Sequence, residues 1–345
     1  MKSNHSLFSP SSADRWVRCP ASVHLHTKTW SAVAQEGTDA HKVAEDLLNK
    51  HKKDKNFFVD KNEDIYAKEY VEYVLSIVKD FDNLYVEQTL SFSDFVKNQS
   101  GTPDAVYISD KTAHIFDYKF GQGVIVYAED NYQLFTYALA VLQNFKHVEN
   151  FELHIIQPRV SHFSSTIIKK DELLEFAEKV KKASFNALSA NPDFNATKKG
   201  CKWCTFKPKC KALFKKTEEI MSLQGKELTE SDKIKVLDNE KLVLDFIKSV
   251  KDDCFNHLSS GGKIEGYYLK EGVKRRKYKH NAEKILLQKL PENELYEKKL
   301  LPITKVELKI GKKEFANLDV TFKESAGRKL AKGVDKSELD LFKKI

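Results

Sequence analysis

Apolar residues at Ala40, Val43, Ala44, Leu47 and Leu48 recur with the 3.6-residue period of a helix, and Gly37-Thr38 marks where that helix is expected to open. His41 lies on it, one turn below Ala44 and two below Leu48. A second helical stretch, about residues 64–81, carries Tyr66, Tyr70, Val74 and Ile77 on one face. A shorter helix precedes both. Ser9-Pro10-Ser11-Ser12 supplies capping hydroxyls and a proline, Trp16 lies within it, and it ends near Cys19-Pro20. The pattern then switches to strands over residues 84–92, 105–109 and 113–119. After Gly121-Gln122-Gly123, a helix is expected over about 129–145, strands near 151–157 and 164–168, and a further helix over roughly 171–188.

Helices, a short meander, a helix and more strands predict an α/β fold with a mixed central sheet flanked by helices. Residues 216–230 show no core pattern and read as a linker, whereas 232–258 read as a strong helix. The expected organisation is a core domain over 1–215, a linker over 216–230, and a smaller, basic α+β module over 231–345. A chain of 345 residues suits one large domain with an appendage.

Composition narrows the setting. With 41% hydrophobic and 31% charged residues, and no run near the roughly 20 apolar residues that span a bilayer, the chain reads as globular and not membrane-embedded. The first residues lack the apolar stretch of a secretory signal, and the cysteine usage suits a reducing compartment, so a cytoplasmic location is expected. The formal charge of +8 is modest. Its distribution says more: residues 270–280 read Lys-Glu-Gly-Val-Lys-Arg-Arg-Lys-Tyr-Lys-His, which suits either a surface that tracks phosphates or a plain solvated face.

Candidate chemistry begins with residues 101–119. If they form a hairpin turning through Asp110-Lys111, partners have numbers summing to 221, and Asp104 falls opposite Asp117. Their Cβ atoms would then lie about 4.5–5.5 Å apart, and two such carboxylates repel unless a cation holds them. Alternation puts Ile115, Asp117 and Lys119 on one face and Phe116 and Tyr118 on the other, so an ammonium stands beside the carboxylates. Phosphodiester hydrolysis uses such a set: carboxylates for Mg²⁺ or Mn²⁺, and a cation to orient water and offset charge. An isolated Asp-x-Lys on an exposed strand is the plainer reading of the same residues. Gln133 and Tyr137 share a helix face on the next expected helix. Glu87 adds a carboxylate on the preceding strand whose direction nothing in the sequence sets.

The second group is sulfur. Cys201 and Cys204 have C-x2-C spacing, Cys210 follows beyond Pro208, and Cys19 lies near the amino terminus. One remote ligand and three close ones suit an iron-sulfur cluster better than a zinc ribbon, whose paired C-x2-C units are regularly spaced. A zinc site built on the downstream trio, with Cys19 an ordinary buried thiol, is the alternative, and Cys254 has no assigned role.

Gly-Thr-Pro-Asp104, Asp117-Tyr118-Lys119 and Gln133-Leu-Phe-Thr-Tyr137 resemble the motifs of the RecB-like branch of PD-(D/E)XK nucleases, and Gly37-Thr38-Asp-Ala-His41 resembles that branch's motif histidine. The cysteines resemble its iron-sulfur subset, typified by AddB-type helicase-nucleases, in which one cysteine precedes the core and three follow. The likeness spans about residues 9–215. The carboxyl-terminal part more loosely resembles an uncharacterised RecB-like family of phages and prophages. These resemblances imply a restriction-endonuclease-like sheet and a [4Fe–4S] cluster on Cys19, Cys201, Cys204 and Cys210. They also imply Mg²⁺ or Mn²⁺ on His41, Asp104, Asp117 and the Tyr118 carbonyl, with Lys119 positioning water and Gln133 and Tyr137 touching substrate or bracing Lys119. The implied activity is that of a DNA exonuclease on ends or single strands, in the cytoplasm of a bacterial host, with phage single-strand-binding or recombination proteins as partners. A non-cleaving scaffold that binds nucleic acid is the alternative. No G-x-x-x-x-G-K-[ST] loop is present, so no helicase is expected.

Overall fold

The computed structural model describes residues 7–25, 32–54, 57, 64–223 and 227–270, with scattered positions between 282 and 320. Contacts divide the chain into two compact units, Met1–Gly272 and Val273–Ile345.

In the first unit a short 3₁₀ turn, Pro10–Ser12, leads into α1 (Ala13–Trp16), then α2 (Ser22–Leu25), α3 (Ala32–Lys53) and α4 (Ile65–Ile77). Asp64 caps α4 by accepting from the backbone N–H groups of Tyr66 and Ala67. The helix expected to open at Gly37-Thr38 begins earlier, at Ala32. Thr38 lies inside it and turns its hydroxyl back to the Ala34 carbonyl, at 3.1 Å, instead of capping.

The strands are β1 (Leu84–Val86), β2 (Leu90–Ser91), β3 (Ser100–Gly101), β4 (Ala105–Ser109) and β5 (Thr112–Tyr118). After α5 (Tyr132–Asn144) come β6 (Asn150–Gln157), β7 (His162–Lys169) and α6 (Lys170–Ala187). The expected single strand over 84–92 is two strands: Glu87 takes a left-handed φ of 46°, and β2 leaves to pair with β3 in a separate small sheet. The main sheet has the order β1-β4-β5-β6-β7. Its pairs are antiparallel except β5 and β6, which run parallel because α5 carries the chain back between them.

Alternation along the strands feeds two cores. Val106, Ile108, Ala113 and Ile115 face α5, α6 and Trp16 on one side. On the other side, Tyr107, Phe116, Tyr118 and Ile156 pack against Ala44, Leu47 and Leu48 of α3 and Tyr70, Val71 and Val74 of α4. The result is a mixed α/β fold, a five-stranded sheet flanked by helices.

Beyond it, α7 (Lys198–Cys201), α8 (Lys211–Met221) and α9 (Glu230–Ser259) complete the first unit. The first part of the expected linker is thus helix. Leu242 of α9 is buried against Cys201 and Leu213, with Phe246 beside them, so α9 packs on the cysteine segment within the unit that ends at Gly272. Two short helices, α10 (Ala282–Leu286) and α11 (Lys312–Asn317), are described in the second unit. Of the basic run, residues 271–280 lie outside the described residues. Among the described residues, no helix is long and apolar enough to cross a membrane.

Candidate functional site

The hairpin register is the one the sequence implies: Ala105 pairs with Phe116 and Ser109 with Thr112, around the turn at Asp110, whose φ is 51°. One step beyond Ala105, Asp104 stands level with Asp117 at the end of the β4–β5 pair. Its carboxylate is held from two sides. The Tyr118 backbone N–H donates to Oδ2 at 2.6 Å, and His41 Nδ1 lies 3.1 Å from Oδ1. The His41 ring sits against Tyr118, centroids 5.2 Å apart, and Tyr118 stacks in turn on Tyr70. So α3 delivers its histidine to the strand ends by packing on the aromatic face of β5.

Asp117 reaches α5 through Gln133, with a side chain only 2% exposed. Gln133 Nε2 donates to its Oδ1 at 2.8 Å, and Gln133 Oε1 accepts from Lys119 Nζ at 3.0 Å. The amide thereby links carboxylate and ammonium in one chain of contacts. Gln133 Nε2 also reaches the Tyr137 hydroxyl at 3.3 Å. Asn131 fixes the start of this arrangement by capping α5 through the Gln133 and Leu134 N–H groups. Asp117 Oδ2 lies 2.6 Å from Lys119 Nζ, so the buried carboxylate is paired with an ammonium.

Electrostatics reflect this crowding. Burial pushes the Asp117 pKa up, and the charge of Asp104 adds to it against the opposing pull of Lys119. Burial works against the His41 imidazolium, but the hydrogen bond to Asp104 and the nearby carboxylate charges outweigh it and raise its pKa. Glu87, whose direction the sequence leaves open, turns inward: with His41 and Asp104 it offers three ligand atoms within 4.8 Å of one another. Burial and the charge of Asp104 raise its pKa to about 7. Carboxylates and an imidazole so arranged can hold a divalent cation.

Gly101 explains part of the fit. A Cβ there would meet Pro10 Cγ at 2.7 Å and the Tyr137 ring at 3.2 Å, so the strand entering Asp104 lies hard against both.

The four distant cysteines converge. Cys19, Cys201, Cys204 and Cys210 all line one small apolar cavity between α2, α7 and the start of α8, and none is in a disulfide. Burial raises the pKa of Cys19, Cys204 and Cys201, the last to about 11, and neighbouring thiols add to the rise. Among the described residues, the groups of three or more ligand atoms within 4.8 Å of one another do not include the thiols. Cys254 lies elsewhere, on α9.

Three features escape the sequence reading. Asp130, at a φ of 48°, accepts from Arg18 at 3.0 Å and from Lys199 at 2.8 Å, joining the amino-terminal helix, the α5 entrance and the cysteine segment. Trp203, between Cys201 and Cys204, is 69% exposed. A groove of about 490 Å³ runs from Lys119 and Gln133 past Tyr127 to Lys199, Lys202 and Trp203. Trp203 suggests itself only by its place inside C-x2-C; Asp130 carries no sequence signal at all.

A solved structure described as "Crystal structure of SSO0001" is similar at 15% identity, over 59% of this chain and 85% of that one, with a TM-score of 0.31. A family model described as "Protein of unknown function (DUF2800)" matches residues 5–338, nearly the whole length, and the chain belongs to that family.

Proposed function

We propose that this chain is a metal-dependent DNA nuclease of the RecB-like PD-(D/E)XK type, an exonuclease on ends or single strands serving phage replication or recombination. The observation that carries the reading is the meeting of Asp104, Asp117 and Lys119 at the end of the β4–β5 pair, with Lys119 Nζ 2.6 Å from the buried Asp117 carboxylate. His41, Glu87, Asp104, Asp117 and the Tyr118 carbonyl would hold Mg²⁺ or Mn²⁺, and the clustered carboxylates and imidazole suit a cation. Such an ion supplies Lewis-acid stabilisation of a phosphoryl oxygen and acidifies a water. The imidazole in the set favours Mn²⁺ over Mg²⁺.

The remaining roles belong to the chain's own groups. Lys119, steered by Gln133 and Asp117, is a fixed countercharge for negative charge gathering on the scissile phosphate, and it orients the attacking water. Tyr137 holds the Gln133 amide in place. The groove beyond Lys119 suits a single strand: Tyr127 and Trp203 are exposed rings for base stacking, and Lys199 and Lys202 are cations for phosphates.

The cysteine cavity fits a [4Fe–4S] cluster. Thiolates on one tetrahedral zinc would lie about 3.8 Å apart, given Zn–S bonds of about 2.3 Å. Four thiols around one cavity, without a set as tight as 4.8 Å, suit the larger group. Cys19, Cys201, Cys204 and Cys210 would hold it, and its contribution is folding free energy that ties α1 to α7 and α8.

The test is an anaerobic assay of end-labelled linear, circular and single-stranded DNA with Mn²⁺ or Mg²⁺, comparing wild type with Lys119→Ala. Cleavage of linear and single-stranded DNA that the variant loses is expected. Folded wild type that binds DNA without cutting it would leave the scaffold reading instead, and circles cut as fast as linear DNA would sink the exonuclease assignment.

A further inference from the structure

On the face of the sheet away from Asp117, a polar trio interrupts an aromatic surface. His114 on β5 is the register partner of Glu152 on the parallel strand β6, and His154, two residues on, shares Glu152's face. Around them stand Tyr107, Phe116 and Tyr73. The His154 ring stacks on Phe116 at 4.7 Å between centroids, and His114 stacks on Tyr107 and His154, each at 5.7 Å. These contacts hold both imidazoles in fixed orientations.

Hydrogen bonding does not account for the trio. His154 is 1% exposed; its Nδ1 meets the Tyr73 hydroxyl at 3.1 Å, while its buried Nε2 has no hydrogen-bond partner. His114 Nδ1 is likewise buried and unsatisfied. Both nitrogens face one carboxylate: His114 Nδ1 lies 3.3 Å from Glu152 Oε2 and His154 Nε2 lies 3.7 Å from Glu152 Oε1. The second separation is too long for a hydrogen bond. Both separations are close to the about 3.3–3.4 Å between two ligands that each sit 2.0–2.1 Å from one tetrahedral ion. Three ligand atoms here lie within 4.8 Å of one another.

We propose that His114, Glu152 and His154 form a second divalent-cation site, one that takes Zn²⁺, on the sheet face opposite Asp117. Two imidazoles and one carboxylate make a nitrogen-rich set that suits Zn²⁺ far better than Mg²⁺. Tyr73 plays the part of an outer partner: by engaging Nδ1 of His154 it orients the ring and leaves Nε2 for the ion. Burial lowers the pKa of both imidazoles, that of His154 to about 3, which favours the neutral form a ligand needs. Glu152, 31% exposed on its side chain, is the member of the trio that solvent reaches most readily. The ion would clamp β5 to β6, the strand pair behind Asp117, independently of any cleavage chemistry.

Cobalt separates this site from the others. The full chain carrying Asp104→Asn, which disables the His41–Glu87–Asp104 set, is titrated with Co²⁺ and then Zn²⁺. Expected are visible d–d bands without a thiolate charge-transfer band, saturating at one equivalent and abolished by Zn²⁺. Adding Glu152→Gln should remove these bands and weaken Zn²⁺ by about 100-fold or more, the upper end of what loss of an outer partner alone costs. In the Asp104→Asn chain, Zn²⁺ should raise the thermal midpoint, and adding Glu152→Gln should abolish that rise without lowering the metal-free midpoint. Bands unchanged by Glu152→Gln would overturn the proposal. So would their absence from Asp104→Asn protein with native circular dichroism, or a Zn²⁺-induced rise in that protein that survives the added Glu152→Gln.

Discussion

The carboxylate site and the cysteine cavity lie in one compact unit but are held by opposite means. Around Asp104 and Asp117 nearly every charge has a directed partner: a backbone N–H, the Gln133 amide, the Lys119 ammonium, the His41 ring. The cysteines have mainly apolar walls and each other, and burial drives the thiols of Cys19, Cys201 and Cys204 toward the protonated form. A site with its own countercharge keeps its shape when the ion leaves. A pocket of thiols becomes stable as thiolates only when a metal neutralises them. The first should therefore respond to mutation in chemistry and the second in folding.

The strongest test of that contrast is Cys201→Ala beside Cys254→Ala. Structural metal binding contributes about 10–16 kcal/mol in small zinc domains, so losing even part of such a term rivals a domain's whole stability of about 5–15 kcal/mol. Anaerobically purified Cys201→Ala should lose iron, brown colour and most of its cooperative thermal transition. Cys254→Ala, outside the cavity lining, should keep all three. A well-folded, iron-free Cys201→Ala protein would erase the distinction between the two regions.

Next comes Lys119→Ala. It removes a charge aimed at the reacting phosphate, worth about 10²–10³ in rate when one such stabilising group is deleted. Asp117, already pushed toward protonation by burial, can answer the lost ammonium by taking a proton, so the thermal midpoint should move little. A variant that unfolds would place this region with the cysteines.

Trp203→Ala probes the ground between the two regions. Base stacking on an aromatic contributes about 1–3 kcal/mol, so affinity for single-stranded DNA should fall by that much in a fluorescence titration. Because the ring is 69% exposed, the iron content should not change.

How much of this was legible beforehand depended on the range of the contacts. The β4–β5 register follows from a two-residue turn and a period of two, so Asp104 and Asp117 could be paired on paper. The break at Glu87 could not, because the alternation through residues 84–92 reads as one strand and only pairing with β3 redirects it. Likewise His114 and Glu152 become neighbours only after α5 returns the chain parallel to β5. Cysteine spacing was visible, whereas the Asp130 link to Arg18 and Lys199 depended on three separate segments meeting.

The smallest expected effect sharpens the comparison most finely, because it concerns Glu87, an acid of the carboxylate site that burial pushes toward its protonated form. In metal-free protein Glu87 has a pKa raised to about 7 from an ordinary 4.5, first by burial and then by Asp104. The folded state therefore holds this proton more tightly than the unfolded chain. Its contribution to stability is fully present below about pH 4.5 and is lost as pH rises through 7. Glu87→Gln should accordingly flatten the decline of the urea midpoint across that window. Saturating Mn²⁺ should remove the wild-type decline as well, since the ion replaces the proton as the group that offsets the carboxylate. A decline that persists unchanged in Glu87→Gln would assign it to other groups and leave Glu87 outside the cation site. If the decline disappears in both cases, Glu87 exchanges its proton for the ion, and the carboxylate region, unlike the cysteine cavity, stays folded in either state.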